Sequence, residues 1–180
     1  MKILVLAAVL ACALLACATT PTVNIDSDPS AQFGSYRTYS WLGKPEGPSP
    51  LVQQRIVDAI DAQLRAKGWT QADNGDVSVA AHVATSQKHT LDTFYSGAGY
   101  GGWGWRRGWG GGMGTSTTTV RTYDVGTLVV DMFDTRNKQA IWRGTASQTV
   151  PSSPEKVNAA IQAGIDKMFS GFPPGSAPAR

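Results

Sequence analysis

The chain has 180 residues, of which 42% are hydrophobic and only 16% charged, with 16 Lys and Arg against 13 Asp and Glu. Setting aside a leader that carries Lys2 leaves fifteen basic and thirteen acidic side chains, too even a balance for the basic surface of a nucleic-acid-binding domain. The 164 residues from position 17 onward suit one domain with its own core.

Residues 1–16, MKILVLAAVLACALLA, read as a secretory leader: one Lys, then an unbroken apolar run from Ile3 to Ala16. At fourteen residues the run is shorter than the roughly 20 that a membrane-spanning helix needs. Cys17 follows Leu14, Leu15 and Ala16, the pattern of a bacterial lipobox, in which the Cys is lipidated. A plain secretory cleavage site is the alternative, and Cys12 is a weaker lipidation candidate because cutting before it would leave an apolar remnant. With Cys12 lost in the leader, the mature chain keeps one thiol and no internal disulfide can form. Acylation of Cys17 would remove that thiol and supply the several chains that stable anchoring requires. Ala18, in place of Asp, favours the outer membrane facing the periplasm.

Residues 17–22 form a short lipid-proximal tether and 23–174 a single domain. Val23 and Ile25 alternate with polar residues as in a strand, and FGSYRTYSWL (33–42) is a second strand candidate. In 50–67, Val52, Ile56, Ala59, Ile60, Gln63 and Leu64 recur at helical spacing, after Ser49 as N-cap and Pro50 at the first position, and before Gly68 as stop. Residues 76–88 alternate, with Val77, Val79, Ala81 and Val83 on one face and Ser78, His82 and Ser86 on the other.

The stretch GAGYGGWGWRRGWGGGMG (97–114), ten of whose eighteen residues are Gly, is a loop. STTTVRTY (116–123), TLVVDMFD (127–134) and QAIWRGTASQ (139–148) read as three strands, the last two a hairpin about TRNK. A second helix opens at Ser153-Pro154, repeats Val157, Ile161, Ile165 and Met168, and ends at Phe172-Pro173-Pro174. Residues 175–180 form a disordered tail. Because neighbouring strands are joined by connections too short for a parallel crossover, the fold class is α+β: a mostly antiparallel sheet with two amphipathic helices packed on one face.

Several residues together resemble a family of predicted bacterial lipoproteins that share the domain of unknown function numbered 4136. They are Asp28 with Phe33, Tyr36, Thr38, Tyr39 and Trp41, then Gly126-Thr127-Leu128-Val129-Val130-Asp131, Trp142-Arg143-Gly144 and the closing Phe172-Pro173-Pro174. The resemblance spans nearly all of the mature chain and implies export and this fold class. It carries no catalytic residue across, and many members are similar in having a Gly- and aromatic-rich middle.

Chemistry-bearing residues are sparse. His82 and His89, seven apart, would face opposite sides of one strand, and so would Asp131 and Asp134, which leaves neither a metal site nor a carboxylate pair. Asp134 begins a turn, where its carboxylate suits nearby backbone amides. No GxSxG elbow occurs, and the Gly-rich run lacks the following helix and Lys-Ser or Lys-Thr of a phosphate loop. No cofactor is expected. Trp142 belongs in the core, with Arg143 as a solvated or cross-strand partner.

The function read from these residues is a non-enzymatic envelope lipoprotein, an interaction module held to the membrane by Cys17. Its candidate contact residues are Trp103, Trp105, Arg106, Arg107 and Trp109, since Trp and Arg dominate interface hot spots. The partner would be, in order, an envelope protein, lipid headgroups or a glycan. The competing readings are a loop without function and, in another class, an envelope-polymer hydrolase with no recognisable motif, which a turnover lost on substituting His82 or Asp131 would reveal.

Overall fold

In the computed structural model, residues 20–47, 49–95 and 116–174 are described. Cys17, the loop at 97–114 with its five contact candidates, and residues 175–180 lie outside them. Six strands form one sheet: β1 (Thr22–Ser27), β2 (Thr38–Gly43), β3 (Thr70–Gln71), β4 (Val77–Tyr95), β5 (Ser116–Asp134) and β6 (Ala140–Thr149). Two helices, α1 (Pro50–Ala66) and α2 (Pro154–Phe169), complete the fold, and a 3-10 turn at Phe33–Ser35 precedes β2.

The strand order is β1-β6-β5-β4-β2-β3. β1 with β6, β6 with β5 and β5 with β4 pair antiparallel, so the sheet is mostly antiparallel as expected. β2, however, pairs parallel with both β3 and β4. The expectation that connections are too short for a crossover fails here, because α1 itself is the crossover. β3 was not foreseen. The segments 116–123 and 127–134 are one strand, since Asp124, Val125 and Gly126 keep their register with β4, and Val125 and Gly126 also with β6. β4 likewise runs on past Lys88 to Tyr95.

Both helices start where capping chemistry places them. Pro50 and Pro154 occupy first positions; Ser153 Oγ accepts the Lys156 N–H at 3.4 Å, whereas Ser49 makes no side-chain cap bond. Gly68 follows α1 with φ +84, the left-handed stop that favours glycine. Arg55 donates to Asn158 (2.8 Å) and Gln63 to Asp166 (2.7 Å), so the helices lie side by side and run the same way. Gln63 is therefore an interhelical contact at the edge of the core.

Val77, Val79, Val130 and Met132 on the sheet meet Ile56, Ile60, Leu64, Ile165, Met168 and Phe169 from the helices, all at most 2% exposed. The second helix stops at Phe169, and Phe172 turns back into this core.

Candidate functional site

β4 and β5 pair along their whole length, from Val77↔Asp134 to Tyr95↔Ser116. β6 leaves β5 at Val125↔Thr149, its continuation making one further bond, from the Val150 N–H to the Asp124 carbonyl (2.8 Å), so the nine pairs from Gln87↔Asp124 to Tyr95↔Ser116 have no third strand among the described residues. At the rise of an antiparallel strand they form a two-stranded ribbon about 30 Å long. The ribbon brackets the Gly- and Trp-rich stretch. Residues 84–90 and 120–124 are exposed, and His89 Nδ1 meets Thr122 Oγ1 at 2.9 Å across the strands. Val120 is 58% exposed.

Among the described residues no helix covers the other face of the sheet. His82 is exposed there, opposite Val129, while His89 falls on the other face, as their odd spacing requires. Asp26, Arg143 and Asp131 form a row across β1, β6 and β5. Arg143 grips Asp131 with Nε at 2.5 Å and Nη2 at 3.1 Å, and covers it so that Asp131 is buried. This pair, with more distant Asp26, holds the guanidinium above its usual pKa.

Asp134 lies on the helix side and belongs to a different cluster. Its Oδ2 accepts the Tyr36 hydroxyl at 2.8 Å, and Arg136 brackets it with Nε (3.1 Å), Nη2 (2.7 Å) and its own backbone N–H (2.8 Å). The turn role expected for Asp134 is thus present, with a buried tyrosine added. Arg136 above all, together with the Tyr36 hydroxyl, holds the carboxyl well below the usual range. Such a group stabilises the fold above its unfolded pKa of about 3.9, and that contribution is lost as pH falls through the lower folded value. We expect Asp134→Asn to cost about 1–2 kcal/mol at neutral pH and to flatten the loss of stability below about pH 4. Urea midpoints at pH 7, 4 and 3 check this; equal acid sensitivity in both proteins would contradict it.

A third buried carboxylate escaped sequence reasoning. Asp61 of α1 accepts the Tyr39 hydroxyl (2.8 Å) and the Trp41 indole N–H (3.0 Å), which explains why two aromatics of β2 face the helix. Burial and this carboxylate push the Tyr39 hydroxyl pKa up.

Where the N-terminal ends of α1 and α2 meet the sheet, an apolar groove of about 240 Å³ opens beside the root of the ribbon. Val52, Ile56, Leu128, Val157 and Ile161 line it, with Pro21 at one wall. Gln148 also lines it, and its buried Oε1 has no hydrogen-bond partner among the described residues. Among those residues no group of three or more His, Cys, Asp or Glu could hold a metal ion, and no helix is long and apolar enough to cross a membrane.

The architecture defines an α+β protein whose sheet is covered by helices on one face and extended at one end by an unbacked ribbon. The chain belongs to the family of the domain of unknown function DUF4136, whose model matches residues 23–174. Among solved structures, a DUF4136 family protein from Bacteroides thetaiotaomicron is similar with TM-score 0.51 and 13% identity, over 86% of this chain and 96% of that one. A PDZ domain protein from Parabacteroides distasonis is similar with TM-score 0.52 and 9% identity, over 89% of this chain and 38% of that one. The PelC dodecamer from Paraburkholderia phytofirmans gives TM-score 0.49 and 15% identity, over 83% and 95%. At these identities the likeness is one of fold. No curated protein matches the sequence.

Proposed function

We propose that this chain is a non-enzymatic envelope lipoprotein, anchored through acylated Cys17, that meets its partner through the β4/β5 ribbon and the Gly- and Trp-rich stretch between its strands. The observation that carries this reading is the nine pairs of the ribbon that have no third strand among the described residues. A two-stranded hairpin alone is marginal in water, so one that runs this far without a third strand gains most from a surface to rest on. Trp103, Trp105 and Trp109 would supply contact area there, and Arg106 and Arg107 planar donors. The lipobox at Leu14–Cys17 supports the anchor, and with it an outer-membrane, periplasm-facing location.

Two experiments test the two halves. Labelled palmitate should enter the wild-type chain and not Cys17→Ser; equal labelling of both overturns the anchor. Envelope crosslinks made by the wild type should disappear when residues 97–114 are deleted, and crosslinks that persist unchanged overturn the role of that stretch.

A further inference from the structure

The start of β1 fixes where the tether leaves the domain. Thr22 pairs with Ser147, which pairs with Thr127, so β1 begins in the half of the sheet from which the ribbon projects. Pro21 is buried and held in place: its carbonyl accepts from Lys167 Nζ at 3.1 Å, and it packs beside Gly164 of α2. Three residues lie between Cys17 and Pro21, four residue steps in all, so a fully extended tether reaches at most about 14 Å.

Measured along β5 from Thr127, the Asp134 end of the sheet lies about 23 Å away and Ser116 about 37 Å in the opposite direction. A lipid surface that holds Cys17 is therefore out of reach beyond the Asp134 end. It must pass along the domain's flank or across the ribbon's path. If it crosses that path, the ribbon is more than twice as long as the tether and has to tilt onto the surface.

The ribbon has the chemistry for that position. Lys88↔Tyr123 and Thr90↔Arg121 fall on the same face, a tyrosine and two cations of the kind favoured at membrane interfaces. Along its two strands, 87–95 and 116–124, the sequence carries Lys88 and Arg121, Asp92 and Asp124, and the aromatics Phe94, Tyr95 and Tyr123. With polar and charged residues on both of its faces, the ribbon suits the headgroup zone and not the hydrocarbon interior.

We propose that the β4/β5 ribbon is a lipid-contacting arm, which lies in the headgroup zone of the membrane that holds Cys17 and sets the orientation of the domain on it. The inference rests on the lipoprotein reading and names the partner of its contact surface. Protein and glycan partners are the competing outcomes.

The test uses the full acylated protein in vesicles of phosphatidylethanolamine and phosphatidylglycerol, with no other protein present. Acylation blocks the Cys17 sulfur, so one introduced cysteine carries an environment-sensitive dye: Tyr123→Cys or Lys88→Cys on the ribbon, Asp58→Cys on the exposed side of α1. The ribbon dyes should shift to the blue and be quenched several-fold more strongly by spin-labelled lipid than the α1 dye, increasingly so with phosphatidylglycerol content. A mass showing the acyl chains, with ribbon and α1 dyes equally water-exposed, overturns the ribbon contact alone and leaves protein or glycan as its partner. A mass without acyl chains overturns the anchor and this inference with it.

Discussion

Phe172→Ala is expected to cost about 3–5 kcal/mol, the range for deleting a fully buried aromatic, and to lower the thermal midpoint by on the order of 10 °C in a domain of this size. Phe172 is 1% exposed, and its ring stands edge-on to Phe33 (5.7 Å), Trp69 (5.4 Å), Trp142 (5.4 Å) and Phe169 (5.5 Å). Those four rings come from the 3-10 turn, the connection after α1, β6 and α2. Removing the central ring therefore leaves a cavity bounded by separate elements, none of which can collapse into it without moving another. Thermal melts followed by circular dichroism check this. A loss below about 1 kcal/mol would show that the aromatic cluster repacks freely.

Gly75→Ala is expected to cost about 3 kcal/mol or more, at or above the usual range for overpacking. A Cβ at Gly75 would be driven into the backbone of Tyr39 and Ser40 in β2, where no flexible side chain can yield. The neighbouring residues remove the remaining freedom. Asp76 accepts the N–H groups of Arg37 (2.9 Å) and Thr38 (3.0 Å) and the Thr38 hydroxyl (2.9 Å), while Thr135 Oγ1 donates to the Gly75 carbonyl at 2.9 Å. The variant must therefore either break the Asp76 clamp or separate β2 from β4. Gly34→Ala is the control: no atom lies within 4 Å of its would-be Cβ, and a change within about 0.5 kcal/mol is expected. Equal urea midpoints for the two variants would refute the close approach.

What the sequence disclosed was local. The 3.6-residue spacing of Ile56, Ile60 and Leu64 behind Ser49-Pro50 marked α1, and the alternation of Val77, Val79 and Ala81 marked β4, because periodicity is written in adjacent residues. The same alternation correctly separated Asp131 from Asp134 and His82 from His89. The parallel pairing of β2 with β4 was hidden, since the local signal that marked α1 as a helix does not reveal that it crosses over. The continuity of β5 was hidden too, because Asp124-Val125-Gly126 interrupts the local strand pattern and is held extended by pairing with β4, and at Val125 and Gly126 also with β6. Asp134 meets Tyr36 across 98 residues, and Asp61 meets Tyr39 across 22; no spacing rule joins such pairs. The ribbon fell between these cases: its residues were legible as strand, its length and lack of a third partner only from the register.

The central claim, that the ribbon side of the molecule is the side in contact with the envelope, is tested most directly by cysteine accessibility in native envelopes. Tyr123→Cys and Asp58→Cys would each be treated with a membrane-impermeant maleimide after outer-membrane permeabilisation, then again after detergent. Slow modification of Tyr123→Cys that detergent relieves, beside rapid modification of Asp58→Cys throughout, is the result predicted. Equal and rapid modification of both before detergent would contradict it.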